Sequence, residues 1–94
     1  MNFKRTTEAN PANAGCLQEY VDFLEVSDII ELFGPSDKDG YEDYEKGYDG
    51  QEWHFEAEDG QIVNLYPRFS NLRVGASNNP IAQDFVAWLK SGGN

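Results

Sequence analysis

The stretch Glu52–Ala76, EWHFEAEDGQIVNLYPRFSNLRVGA, decides the fold. Trp53 and Phe55 alternate with Glu52, His54 and Glu56, the period of two expected of a strand with one apolar face. Asp59-Gly60 is a type I′ hairpin signal, and Ile62, Val63, Leu65 and Tyr66 follow it as a second strand. Pro67 ends that strand or places it at a sheet edge, because proline donates no ladder bond. Asn71 to Ala76 supplies a third run, so the stretch predicts a meander of at least three antiparallel strands.

Upstream, SDIIELFGP reads as a short helix. Ser27 is the expected N-cap, and Asp28 and Glu31 sit where the helix dipole favours negative charge. Ile29, Ile30, Leu32 and Phe33 give the apolar face, and Gly34-Pro35 stops the helix. Downstream, Asn78-Asn79-Pro80 opens a last helix whose Ile81, Phe85, Trp88 and Leu89 form one stripe. Residues 15–24 carry two periods at once. Leu17, Tyr20, Val21 and Leu24 have helical spacing, whereas Leu17, Glu19, Val21 and Phe23 alternate; Tyr20, Val21 and Phe23 favour an extended strand. Residues 1–14 are polar and lack periodicity, which reads as a flexible N-terminal arm before a single domain over 15–94. The expected class is α+β. It comprises an antiparallel sheet of three to four strands, a short helix before it, and a C-terminal amphipathic helix packed on one face.

Charge bounds the function. Of the chain's seventeen acidic residues, fifteen lie between residues 19 and 59, against two lysines, Lys38 and Lys46. Outside that span, two acids meet five bases. Such a surface repels nucleic acid and anionic membrane, and its natural complement is a basic protein surface. Aromatic residues at 14% argue for a folded chain despite the charge. The single Cys16 forms no intramolecular disulfide, and neither a leader nor a membrane-length apolar run is visible, so the expected location is cytoplasmic.

Catalytic chemistry finds little support. His54 is the single histidine, placed by alternation on the outward face between Glu52 and Glu56, where carboxylates favour its charged form. Asp37-Lys38-Asp39-Gly40 is similar to part of an EF-hand loop. Setting Gly40 at the loop's glycine, however, puts Pro35 and Lys46 at ligand positions, so neither a metal nor another cofactor is expected. The informative segment is residues 36–50, an acidic loop in which Tyr41, Tyr44 and Tyr48 are interleaved with Glu42, Asp43, Glu45 and Asp49, following Asp37 and Asp39. Tyrosine is favoured at interfaces, and arginine stacks on aromatic rings while pairing with carboxylates. Those nine residues are the candidate partner-binding set. The alternative role for the segment is solubility, with one or two tyrosines covering the core.

Four short motifs, Phe33-Gly34-Pro35, Asp39-Gly40-Tyr41, Glu52-Trp53-His54-Phe55 and Ile62-Val63-Asn64-Leu65-Tyr66, resemble elements shared by a loose group of small phage- and plasmid-encoded proteins. In that group a residue separates the glycine from the proline; here proline follows directly. The resemblance implies an accessory protein of a mobile element, akin to the acidic anti-CRISPR and anti-restriction proteins that mimic nucleic acid, acting in the host cytoplasm. It carries over no site residues. The expected function is therefore a non-enzymatic inhibitor or adaptor that binds a basic, nucleic-acid-binding effector. The alternative is a host-regulating or structural accessory protein that binds through apolar contacts.

Overall fold

Alternating apolar residues build a five-stranded antiparallel sheet in the computed structural model, which describes residues 1–6, 17–37 and 42–93. The strands are β1 (Phe3–Arg5), β2 (Leu17–Val21), β3 (Glu42–Asp43), β4 (Tyr48–Asp49), β5 (Trp53–Ala57), β6 (Ile62–Arg68) and β7 (Asn71–Gly75). Among the described residues two α-helices, α1 (Val26–Phe33) and α2 (Asn79–Lys90), complete the α+β fold. The main sheet runs β1-β5-β6-β7-β2, while β3 and β4 pair separately as a small hairpin. The expected class holds, with one strand more than the three to four expected.

That strand is β1. Residues 3–5 fall in the segment read as an arm, yet Phe3 pairs with Ala57 and Arg5 with Phe55, and Phe3 is buried. Residues 7–16 lie outside the described residues, so the remainder of that reading finds no test. Of the two periods read in the sequence of 15–24, the strand wins over Leu17–Val21: β2 pairs with β7 through Tyr20↔Arg73 and Val21↔Leu72.

Both helices pack on the face carrying Trp53, Phe55, Val63, Leu65, Leu72 and Val74, all essentially buried. The α2 stripe Ile81, Ala82, Phe85, Trp88 and Leu89 is buried as its spacing requires. Its N-cap is Asn78, whose side chain accepts from the Ile81 amide at 3.1 Å. Aromatic rings knit the layers: Phe55 meets Phe33 at 5.0 Å and Phe85 at 4.9 Å, and Phe3 meets Phe85 at 5.1 Å. Such pairs add about 0.5–1.5 kcal/mol each beyond the area they bury.

Three local expectations are corrected. Helix α1 starts one residue before Ser27 and is capped at Glu25, whose amide donates to the Asp28 carboxylate at 2.8 Å, half of a capping box. At Asp59-Gly60 the Gly60 amide donates to Ala57 O, the Ala57 amide donates to Gln61 O, and Gly60 alone takes a positive φ. That is a three-residue loop with a glycine bulge, not a type I′ turn. Pro67 sits inside β6, the central strand. The β5 register ends at Trp53↔Leu65, so Pro67 lies where β7 alone pairs with it. Alternation of the ladder turns its nitrogen away from β7, and the missing N–H removes no bond.

Candidate functional site

Two acidic groupings emerge. The first surrounds His54, which is 5% exposed rather than outward in solvent. Asp37 takes over the β5 edge where β1 leaves it. The Thr6 amide donates to His54 O, and the Asp37 amide donates to Glu52 O. This brings the Asp37 carboxylate against the His54 amide at 3.1 Å and His54 Nδ1 at 2.9 Å, while its other oxygen holds Arg5 Nη2 at 2.8 Å. His54 Nε2 faces Glu52 at 3.3 Å, and Glu52 also accepts from Asn64 Nδ2. With carboxylates on both ring nitrogens, only the imidazolium donates to both. The Glu52 hydrogen bond, then that of Asp37, raises the His54 pKa against the opposing effect of burial. Arg5 also donates to Phe33 O at 2.9 Å and Trp53 Nε1 to Gly34 O at 2.9 Å, which satisfies carbonyls at the end of α1. The grouping is an internal clamp. Asp37, counted in the partner-binding set, is committed to it.

The second grouping is the β3–β4 hairpin. Glu42 pairs with Asp49 and Asp43 with Tyr48, and Tyr44–Lys46 form one 3₁₀ turn between them. The Asp43 side chain accepts from the Lys46 amide at 3.3 Å, and Gly47 closes the turn at φ 90°. Glu42, Tyr44, Glu45 and Asp49 are exposed. Among the described residues no ion pair engages Glu42, Glu45 or Asp49. The Glu42 carboxylate, by hydrogen bond and then by charge, pushes the Tyr44 hydroxyl pKa up. Asp39 and Tyr41 lie outside the described residues. The structure thus brings Glu42, Asp43, Tyr44, Glu45, Tyr48 and Asp49 together and separates Asp37 from them.

The hairpin is latched to the main sheet. Arg68 Nε donates to Lys46 O at 2.8 Å, and the Phe69 amide donates to Gly47 O at 3.0 Å. Tyr48 leans on Tyr66 at 6.1 Å, with the Arg68 guanidinium 4.9 Å from the Tyr48 ring centre. Phe69 and Ser70, the β6–β7 turn, both hold positive φ, 50° and 71°. This turn, not Asp59-Gly60, has the two left-handed residues of a type I′ hairpin, and neither is glycine. The Phe69 ring occupies the space a side chain at Gly47 would need, 2.6 Å from that Cβ position. Phe69 was not in the sequence-derived set. Its signal, a two-residue gap between strand runs, lacks the glycine that marks such turns.

Between α1, this hairpin and the β6–β7 turn lies a groove of about 530 Å³, lined by Glu25, Tyr44, Tyr48, Asp49, Pro67 and Phe69 among others. No three metal-ligating side chains converge among the described residues, and among them no helix is long and apolar enough to cross a membrane. Comparison with protein-family models, with curated proteins and with solved structures gave no match to this chain.

Proposed function

We propose that the chain is a non-enzymatic binding protein, an inhibitor or adaptor, whose acidic hairpin engages the basic surface of a nucleic-acid-binding protein. The observation that supports this reading is that Glu42, Glu45 and Asp49, exposed around Tyr44 and in no ion pair among the described residues, stand on a hairpin latched to a packed sheet. Carboxylates held in fixed positions compete with phosphates for arginines and lysines, as a mimic of nucleic acid must. Such association is fast at low ionic strength and weakens with salt.

The test is displacement of a labelled DNA duplex from a basic DNA-binding domain at low and at high salt. The native chain should displace the duplex at low salt. The triple variant Glu42→Lys, Asp43→Lys, Glu45→Lys should not. Equal displacement by both would sink the reading. The exposed Ile30 and Leu32 of α1, 44% and 49% accessible, favour the second reading of apolar docking. Displacement that survives the charge reversal and salt but fails in Leu32→Asp would select it.

A further inference from the structure

We infer that the groove between α1, the β3–β4 hairpin and the β6–β7 turn receives an arginine side chain of a partner protein. This rests on the acidic-surface reading and goes further by naming the group recognised and the residues that recognise it. The walls are aromatic: Tyr44 is 69% exposed and Phe69 62%. Glu25 and Asp49 border the same space; the Glu25 carboxylate already accepts from the Asp28 amide in the capping box and keeps further acceptor positions. Both Asp49 oxygens accept from Gln51, at 3.0 and 2.8 Å, and each keeps a further acceptor position. Flat apolar faces with donors around the edge are what such a slot admits, and among side chains that describes guanidinium; an ammonium has no flat face to stack.

The protein already performs this chemistry on itself. Arg68 lies over Tyr48 at 4.9 Å and Arg73 over Tyr20 at 5.1 Å. The Arg68 guanidinium reaches both Tyr48 and Phe69, 4.9 and 5.7 Å from the ring centres, so an incoming group meets Tyr44 and the part of the Phe69 ring that stays exposed.

The turn geometry is the independent observation. A bulky residue in the left-handed region is strained by about 1–2 kcal/mol. Phe69 nonetheless occupies it, at φ 50°, and its ring remains mostly in solvent at the groove rim. The ring packs over Gly47, yet the residue stays 62% exposed, and asparagine or glycine would hold the turn without the backbone strain. Strain that presents an exposed ring marks a surface kept for contact.

The experiment is calorimetric titration at low salt with a glycine–arginine repeat peptide and its glycine–lysine counterpart, on the native chain and on Phe69→Asn. Asparagine tolerates the left-handed conformation, so the turn survives while the ring is removed. The arginine peptide should bind at least about threefold more tightly than the lysine peptide, the scale of one exposed cation–π contact. In Phe69→Asn that preference should vanish while the chain still unfolds cooperatively, relief of backbone strain offsetting the lost contacts with Gly47 and Arg68. Tyr44→Ala, at an exposed position, should lower the preference in the same way. Equal affinity for the two peptides, abolished by the hairpin charge reversal, overturns the groove and leaves the acidic-surface reading standing. Binding of neither peptide, or binding indifferent to both the ring and the charges, overturns both.

Discussion

Asp37 and Glu45 belong to the same acidic run, yet Asp37 is held between Arg5 and His54 at 2.8 and 2.9 Å, while Glu45 stands exposed with no ion pair among the described residues. Around Asp37, two cations face two carboxylates once His54 is protonated, and polar partners fill the remaining positions. Around Glu45, Glu42, Asp43 and Tyr44 precede it and Lys46 follows, no ion pair engages it among the described residues, and it stands in solvent. Charge density along a chain therefore does not say which carboxylates are available. Position relative to the sheet edge does: the Asp37–Glu52 bridge draws one acid inside, and the hairpin turn leaves the other out.

The comparison can be broken most directly by deleting each acid. Asp37→Ala leaves Arg5 and His54 without their shared anion and should lower unfolding free energy by about 2–3 kcal/mol, reduced from a fully buried pair by partial exposure. Glu45→Ala should change it by less than about 0.5 kcal/mol. Urea denaturation of the two variants decides; similar losses would erase the distinction between clamp and display.

A smaller effect comes from pH. The His54 pKa is raised above its ordinary 6.5 by Glu52 and Asp37. A group raised on folding stabilises in full below the unfolded value, and that contribution is lost as pH rises through the folded value. The unfolding midpoint should therefore decline as pH climbs from about 6.5 into the range above it, and His54→Gln should flatten the decline. NMR titration of the imidazole protons gives the folded value directly; a midpoint below that of a free histidine would contradict the clamp.

The smallest expected change is at the strained turn. Ser70→Gly relieves a positive φ of 71° outside the groove's aromatic wall and should raise stability by up to about 1 kcal/mol in thermal unfolding. No gain, or a loss, would mean that Ser70 contributes a contact that outweighs its backbone strain.

Legibility followed the range of the interactions. The meander β5–β6–β7 and the α2 stripe are local patterns, and alternation or helical spacing sufficed to read them. β1 was missed because Phe3-Lys4-Arg5 is too short to show a period, and its strand character comes from pairing with β5. His54 was assigned the correct side of its strand but the wrong depth. Alternation reports the face, and burial there depends on Asp37 and Glu52 closing over the ring. The turn signals misled for a related reason. Asp-Gly serves a bulged three-residue loop as well as a two-residue one, whereas Phe69-Ser70 is stabilised by Gly47, a residue in another hairpin. The candidate site was legible as a composition, acids among tyrosines. Its aromatic wall from the β6–β7 turn was not.

The order of strands in the sheet, β1-β5-β6-β7-β2, also sets a timetable for synthesis. Of the sheet's five strands, the two made before the others are the two outermost, and they are held by β5 and β7, which emerge only later. Phe3 waits for Ala57, and Val21 waits for Leu72. During that interval apolar side chains such as Phe3 and Val21 have no sheet to join, and chains in that condition are prone to associate. Loop entropy favours closure from the middle outward, the β5–β6–β7 hairpins before the distant pairings of β1 and β2. A strongly negative chain keeps its nascent copies apart through that wait. Its acidity thus acts on the molecule while it is still being made.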